Sequence, residues 1–426
     1  MIKKLLLSFL FFFCLLVCQG QHLPYAKEVV QKLASPAFKG RGYVEKGEQI
    51  AAQYVAEEFE KIGLKPFKKS YFQTFTTSVN TFPSAMMIAL DGKEIVAGQD
   101  YLVEAGSPGL SGSFPVLSLS AEDILDEATL IQTLQESNKK FILIQDFDRK
   151  EFVKEQLQRI DEVISFLKYN PENPAAGTII LTSGKLTWGA STQQYSKPNI
   201  ILKIDSTYTA INQISLEIGN QFYKNYKTQN VIGFMTGERS DSLMVYTAHY
   251  DHLGMMGENA IFPGANDNAS GVAMLLSLAK HYQTHPPRFN TIFIAFGGEE
   301  LGLLGSQYFV QNPLFDLSKI KFLVNFDITG TGEDGIQVVN GSVYREQFDR
   351  LTAINDEMEL LSQVKIRGQA CNSDHCMFDQ MGVPCFFIYT LGGIQAYHDI
   401  YDRAETLPLT EFEDYLKLIV AFADEL

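Results

Sequence analysis

The sequence contains few cysteines, and its basic residues are outnumbered by acidic ones. Five cysteines occur in 426 residues, and Cys14 and Cys18 lie in the apolar N-terminal stretch. The other three cannot form a disulfide framework for a chain of this length. Lysine and arginine number 35 against 50 acidic residues, a net charge of −15, which argues against a protein that binds nucleic-acid phosphates. The apolar content of 46% excludes a disordered chain, and the length predicts two or three domains.

Long apolar runs are missing after the N-terminus, so no membrane span is expected. At the N-terminus itself, two lysines precede the largely apolar run Leu5–Val17, and the small residue Gly20 follows. This pattern predicts a signal peptide over residues 1–20 and an exported protein that is periplasmic, extracellular or on the outer surface. Lipid attachment at Cys18 is the alternative, although the preceding valine is larger than the residue usual at that position.

The later cysteines are Cys371, Cys376 and Cys385. Export to an oxidising compartment would permit a disulfide between Cys371 and Cys376. Cys385 lies in the apolar run Val383–Tyr389 and is expected to be a buried free thiol.

The middle of the chain differs in composition from the two ends. Short apolar runs there alternate with turns that contain Gly and Ser, which predicts β-strands, and one charged stretch over about Arg149–Tyr169 predicts a helix. No histidine lies between His22 and His249, so a metal site within this segment is not expected. The only tryptophan, Trp188, is interpreted as a packed aromatic, with the edge of a substrate cleft as the alternative. The predicted division is a signal peptide (1–20), an N-terminal helical part (21–81), an inserted β-rich domain (82–224) and a main domain (225–426) to which the N-terminal part belongs.

Strands and helices alternate from Val231 to the C-terminus. This alternation predicts an α/β domain with a mixed, largely parallel sheet flanked by helices. The apolar and polar residues of the strands alternate only weakly, as expected for a sheet that is buried on both faces. The predicted elements are strands at Leu243–Tyr246, Thr291–Phe296, Phe322–Phe326 and Pro384–Tyr389, and a helix at Ser270–His281.

Candidate metal ligands follow the ends of these predicted strands. His249 comes after the first strand, Glu299 and Glu300 follow the second, and Asp327 closes the third. His398 lies in the loop after the fourth strand. Functional loops of open α/β sheets gather outside the carboxyl ends of the strands, so these side chains are expected to converge in one crevice.

Imidazoles and carboxylates together suit zinc, with manganese or cobalt as alternatives. A set of five ligands is too large for one tetrahedral zinc, but it suits two metal ions that share a carboxylate. Asp267 lies in an Asn- and Gly-rich loop and is the candidate bridge. The adjacent Glu299 and Glu300 are interpreted as a general base and a ligand. Asp251 is the candidate carboxylate that orients the ring of His249.

Each of these fragments is common alone, but their combination and order resemble the secreted two-zinc aminopeptidase family, whose relatives include glutamate carboxypeptidase and the transferrin receptor. The resemblance is strong from Val231 onward and weaker over Leu33–Phe67. Residues 82–224 resemble the protease-associated domain that is often inserted in this family. The motifs that carry the resemblance are His249-Tyr250-Asp251-His252, Asn266–Gly271, Glu299–Ser306, Asn325-Phe326-Asp327 and Tyr397-His398.

The resemblance implies two zinc ions per chain, with Glu299 as general base and Asp251 as the residue that orients a ligand. It also implies a cis peptide bond between Asp267 and Asn268. Ser373-Asp374-His375 resembles a family segment near the substrate pocket, with a structural role as the alternative. The implied ligands are His249 and Asp327 on one ion, Glu300 and His398 on the other, and Asp267 on both.

This chain departs from the family where Asp399 and Ile400 follow His398, because relatives more often carry Thr or Ser and then Pro. The departure leaves the ligand in place and puts the shape of the loop in doubt.

The expected function is that of a secreted zinc-dependent exopeptidase, an aminopeptidase that removes N-terminal residues from peptides. A carboxypeptidase of the same fold is the alternative, and it would need an arginine such as Arg345 or Arg367 for the α-carboxylate. A glutaminyl cyclase uses one zinc and would lack part of the second ligand set. An inactive binding protein would carry substituted ligands, and here all are present.

Overall fold

A computed structural model describes residues 22–203 and 210–426. The predicted signal peptide and the alternative lipid site at Cys18 lie outside the described residues. No helix in the described ranges is long and apolar enough to cross a membrane.

Residues 72–81 of the predicted helical part (21–81) form a strand, and the residues before them form two α-helices. Short 3₁₀ turns separate them, beginning at Pro36, and the second helix ends at Gly63, which has a φ of +92°. Glycine adopts this left-handed conformation without steric cost. The α-helices of the described chain are α1 (His22–Leu33), α2 (Gly47–Ile62), α3 (Ala121–Leu125), α4 (Glu127–Glu136), α5 (Lys154–Tyr169), α6 (Gly271–Thr284), α7 (Leu304–Gln311), α8 (Arg345–Met358), α9 (His375–Asp379) and α10 (Phe412–Glu425).

The strands form two large sheets and one short hairpin. Strands β1–β2 and β11–β19 come from the two ends of the chain, and β3–β10 come from the segment between them. The strands are β1 (Lys65–Pro66), β2 (Phe72–Thr81), β3 (Met86–Leu90), β4 (Lys93–Ile95), β5 (Tyr101–Val103), β6 (Leu110–Leu119), β7 (Phe141–Ile144), β8 (Gly177–Thr182), β9 (Asn199–Lys203), β10 (Gln213–Ile218), β11 (Gln221–Met235), β12 (Arg239–His249), β13 (Gly254–Met256), β14 (Ala260–Phe262), β15 (Phe289–Phe296), β16 (Ile320–Phe326), β17 (Ile336–Val339), β18 (Val364–Ile366) and β19 (Cys385–Thr390).

The central sheet has the order β1-β11-β15-β12-β16-β19-β17-β18, with β2 paired to β11. Its middle strands β15, β12, β16 and β19 run parallel, and β11 and β17 join them antiparallel. The mixed, largely parallel α/β sheet expected from the sequence is therefore confirmed.

The two faces of the central sheet bury alternate residues of each strand. Tyr246 and Val324 pack with helices α1, α2, α6, α8 and α10. Val245 and Leu323 face the opposite side, where α7 and α9 cover them. Both faces are therefore dry, which is the reason that the strands alternate only weakly in sequence.

The second sheet has the order β4-β3-β10-β6-β7-β8-β9-β5 and forms the inserted domain. This domain also contains the predicted helix α5 and two further helices, α3 and α4, and all three pack on its strands in a core of their own. Its other face shares a core with the catalytic part, since Met256 and Phe262 of the short hairpin β13–β14 pack there. The insert is thus joined to the catalytic part by continuous apolar packing.

Candidate metal centre

Parallel strands of the central sheet bring the first ligands to one level. His249 is the last residue of β12 and pairs with Phe296, the last residue of β15. On the other side of β12, Thr247 lies opposite Asn325. Asp327, two residues further, is therefore level with His249, and its Oδ1 lies 3.4 Å from His249 Nε2.

Asp267 lies between two histidines. Its Oδ1 is 3.4 Å from His249 Nε2, and its Oδ2 is 3.1 Å from His398 Nε2. The Asp267–Asn268 peptide bond is cis, as predicted. The main-chain N–H groups of Asn266 and Asp267 donate to the two carboxylate oxygens of Asp402, at 2.8 and 2.9 Å. These contacts place a carboxylate with one oxygen toward each histidine, which is the arrangement of a bridging ligand.

Glu300 completes a second group around Asp267. Its Oε2 lies 3.3 Å from His398 Nε2, and its Oε1 lies 2.7 Å from His252 Nδ1. His252 therefore offers a rival imidazole at this position, within metal-binding reach of Asp267 and Glu300. His398 fits better, because its Nε2 faces both carboxylates and its ring lines the open cavity, whereas His252 is fully buried. His252 instead orients Glu300.

Glu299 lies beside the other group, and its carboxylate is within metal-binding reach of His249 and Asp327. Burial, together with the neighbouring carboxylates of Glu300 and Asp327, raises the pKa of Glu299 well above its usual value. The main-chain N–H of Glu299 donates to Asp251 Oδ1 at 3.2 Å. A carboxyl with a raised pKa at the edge of a polar cleft is suited to accept and return a proton.

Asp251 contacts His249 in a way that the sequence did not predict. The Nδ1 of His249 is 3.1 Å from the main-chain oxygen of Asp251 and 3.9 Å from its carboxylate. The carboxylate accepts hydrogen bonds from the Tyr43 hydroxyl at 2.9 Å and from the Glu299 N–H. Asp251 thus joins the loop of His249 to the loop of Glu299.

The Ser373-Asp374-His375 segment lies under the same cluster. Ser373 Oγ donates to Asp327 Oδ2 at 2.8 Å and accepts from the Asn325 side chain at 2.8 Å. Asp374 is fully buried, and this burial raises its pKa to about 7. Cys371 and Cys376 form a disulfide across the segment, as the sequence permits, and Cys385 is a buried free thiol.

The donor set fits divalent cations. Carboxylates and imidazoles converge, and the ion-pair partners of Asp267, Glu300 and Asp327 are histidine rings. Burial, which lowers the pKa of His398, is outweighed by Asp267 and Glu300, which raise it to about 9. Negative charge is therefore concentrated at this point, as binding of zinc requires.

A cavity of about 400 Å³ opens onto the cluster. Its floor carries the candidate ligands, and its walls combine apolar and aromatic side chains with one arginine. The Arg367 guanidinium donates to the Tyr389 hydroxyl at 3.1 Å. The wall residues include Leu303, Ile328, Arg367, Phe387, Tyr389 and Tyr397.

Sequence reasoning assigned no role to Arg41, His252 or Asp402. Arg41 is fully buried, and its guanidinium donates to the main-chain oxygens of Gly264 and Asp267 at 2.7 and 3.1 Å. His252 stands within a quoted motif, next to Asp251, and Asp402 follows His398 by four residues, so proximity to assigned residues was the available signal. Arg41 lies within Leu33–Phe67, where the family resemblance is weaker.

Residues 230–423 match the model of peptidase family M28. This part of the chain, somewhat less than half of the whole, is similar to an M28 peptidase domain. It contains all of the candidate ligands, and the match confirms the family resemblance that the motifs predicted.

Curated relatives of the M28 domain include aminopeptidase YwaD of Bacillus subtilis, which is 28% identical over 228 residues. That match covers 50% of this chain and 48% of the relative. A probable leucine aminopeptidase of Trichophyton verrucosum is 27% identical over 239 residues, covering 52% of this chain and 66% of the relative. The chain thus spans about half to two thirds of the length of these two proteins.

Solved structures resemble the whole chain, including the insert. A zinc aminopeptidase from Bacillus subtilis superposes with a TM-score of 0.68 at 20% identity, covering 94% of both chains. A peptidase M28 precursor from Shewanella amazonensis gives 0.68 at 17% identity, covering 95% and 93%. These likenesses show that the M28 domain and the insert form a known two-part fold.

Proposed function

We propose that the protein is an exported two-zinc exopeptidase, and specifically an aminopeptidase. The observation that supports this most directly is the position of Asp267, with one carboxylate oxygen toward His249 and the other toward His398. Two relatives of the M28 domain are named as aminopeptidases, which favours the same class. The substrates would be peptides with a free N-terminus.

The ligands would divide into two sets around the shared carboxylate of Asp267. When bound, two zinc ions would supply an activated water and positive charge for the carbonyl oxygen of the scissile bond. Ser373 would hold the free oxygen of Asp327, and His252 that of Glu300, so that each carboxylate presents one fixed oxygen. The proposed sets are His249, Asp327 and Asp267 on one side, and His398, Glu300 and Asp267 on the other.

Glu299 would act as the general base and then as the general acid. Its raised pKa favours uptake of the proton from the attacking water, and the same proton can pass to the leaving amine. Asp251 fixes the position of Glu299 by accepting its main-chain N–H. The carboxyl is thereby held beside the reacting atoms without being needed as a ligand.

The cavity also bears on which end of the peptide is recognised. A free α-ammonium would find the carboxylates on the cavity floor, which favours an aminopeptidase. Arg367 on the wall is the observation that keeps a carboxypeptidase as a second candidate, because its guanidinium could pair with an α-carboxylate. Arg345 does not serve this purpose, since it lies on the surface of α8 and pairs with Asp349 at 2.7 Å.

The test is hydrolysis of a panel of aminoacyl-p-nitroanilides, with zinc content measured on each protein. Glu299→Gln should lower kcat by about 10²- to 10⁴-fold and keep both zinc ions, since only proton transfer is removed. The neighbouring Glu300→Gln is the matched control and should lose zinc together with activity.

Two outcomes would contradict parts of the proposal. A Glu299→Gln protein that loses zinc as Glu300→Gln does would make Glu299 a ligand instead of the base. A wild-type protein that binds two zinc ions but cleaves no aminoacyl substrate would exclude the aminopeptidase, and peptides with free C-termini would then be assayed.

A further inference from the structure

The inserted domain reaches the metal centre through one loop between β8 and β9. In this loop, the main-chain N–H of Trp188 donates to the oxygen of His398 at 2.8 Å. In return, the Trp188 oxygen lies 3.1 Å from Nδ1 of His398. A carbonyl can only accept, so Nδ1 carries a proton, and Nε2 is the nitrogen that is left to offer a lone pair to a metal beside Asp267 and Glu300. The insert therefore sets the ring form in which His398 can bind a metal.

Lys185, in the same loop, holds the rest of the His398 segment. Its ammonium donates to the main-chain oxygens of Gln395 and Tyr397 at 2.6 and 3.0 Å. It also pairs with the buried carboxylate of Asp399 at 2.7 Å. Asp399 is the residue at which this chain departs from the family pattern, and Lys185 gives it a partner.

Trp188 is itself held in place from both domains. Its indole Nε1 donates to the oxygen of Val103 in the insert at 2.8 Å. Its ring stacks on Phe262 of the catalytic part, with centroids 4.6 Å apart and planes at 27°. The side chain is 8% exposed, so the main chain beside it has little freedom. A fixed Trp188 carbonyl is what a stable hydrogen bond to His398 requires.

We infer that the inserted domain is a structural part of the metal centre, with Lys185 and Trp188 as positioning residues for the ligand His398. The inference rests on the proposed function, because it assigns His398 to a metal ion. It gives the insert a role beyond covering the cleft: without its loop, the His398 ring has neither a fixed orientation nor a fixed tautomer. The ion held by His398 should then bind weakly while the ion held by His249 is little affected.

The experiment measures affinity for both zinc ions by competition with a chelator in the full-length protein. Lys185→Met should weaken one of the two ions by about 10- to 100-fold, the usual effect of losing a partner that supports a ligand. Trp188→Phe keeps an aromatic ring but loses the bond to Val103, and it should weaken the same ion. Lys154→Met, at an exposed lysine of the insert, is the matched control and should match the wild type.

A second readout uses the fact that Trp188 is the only tryptophan of the chain. Zinc added to the metal-stripped wild type should change the tryptophan emission. This change should follow the binding of the one zinc ion that His398 holds. His398→Gln should abolish that change, and Lys185→Met should shift it to higher zinc concentration.

The outcomes distinguish failure of this inference from failure of the proposed function. If the wild type binds two zinc ions while both variants keep the wild-type affinities within about twofold, the inference is overturned and the proposed function stands. An emission that does not respond to zinc in the wild type would also overturn it. A wild type that binds no zinc would remove the proposed function and the inference together.

Discussion

Replacing Arg41 by methionine is expected to lower the free energy of unfolding by about 5 kcal/mol. Burial lowers the pKa of Arg41 to about 10, so the guanidinium is still charged at neutral pH. Methionine is apolar and cannot donate a hydrogen bond. The acceptors that would lose their donor are the main-chain oxygens of Leu33, Tyr250, Pro263, Gly264 and Asp267.

The magnitude follows from these five bonds, whose lengths run from 2.7 to 3.2 Å. Each intramolecular hydrogen bond contributes about 1 kcal/mol, which gives about 5 kcal/mol for the set. Such a loss is comparable to the whole stability of many domains. Tyr250 follows the ligand His249, and Gly264 and Asp267 belong to the other ligand loop. Zinc affinity should therefore fall together with stability.

Urea unfolding of the metal-stripped protein measures the first effect, and chelator competition measures the second. Arg41→Lys keeps the charge but offers three donors in place of the guanidinium fork, so it should lie between wild type and Arg41→Met. Arg239→Met is the control, since this exposed arginine pairs with Asp241 and lies over the Phe289 ring at the surface, and it should change stability by less than about 1 kcal/mol. An Arg41→Met protein within 1 kcal/mol of wild type, on that same scale, would refute the reasoning.

Three further predictions concern the surroundings of the site. Burial raises the pKa of Glu48 from 4.5 to about 8, so the folded protein binds this proton more tightly than the unfolded chain does. The stability that comes from the bound proton is fully present below pH 4.5 and is lost as the pH rises through 8. Glu48→Gln should therefore raise the urea midpoint relative to wild type at pH 9 and leave it unchanged near pH 4.5, as paired titrations would show. Arg367→Gln should lower kcat/KM for a dipeptide about tenfold relative to its C-terminal amide, if the guanidinium binds the carboxylate; equal effects would exclude that contact. Serines at both Cys371 and Cys376 should lower the unfolding free energy by about 2 kcal/mol in urea, and an unchanged value would show that the loop needs no cross-link.

Much of the central sheet could be predicted because its signals are local. The apolar run before Glu299 and the one before Asp327 are short and bounded by polar residues, so each indicates a strand and its end. Parallel strands put their carboxyl ends on one edge, which is sufficient to bring His249 beside Asp327. The structure extends these strands by a few residues and changes little else. The insert was harder to predict, because its short strands and the helices α3 and α4 follow one another without a clear repeat.

Several supports of the ligands could not be predicted, because they involve main-chain atoms. The ring of His249 is hydrogen-bonded to the main-chain oxygen of Asp251, and the ring of His398 to that of Trp188. Asp267 is held through its own main-chain N–H, which donates to the carboxylate of Asp402. Every residue type has these groups, so no pattern of side chains reveals which one will be used. Contacts such as that of Trp188 with His398 also join positions 210 residues apart, beyond the reach of any local period.

Because main-chain atoms orient several of the ligands, only some mutations can perturb the site. A carbonyl that orients a ligand cannot be deleted by mutation, since every substitution keeps it. What can be changed is a side chain that binds the main chain of a ligand segment, and here Lys185 and Arg41 each bind several main-chain oxygens at once. Two cations outside the ligand set therefore each bind the main chain of a ligand segment at several points. This is the physical reason that the centre should depend on both the opening segment and the insert.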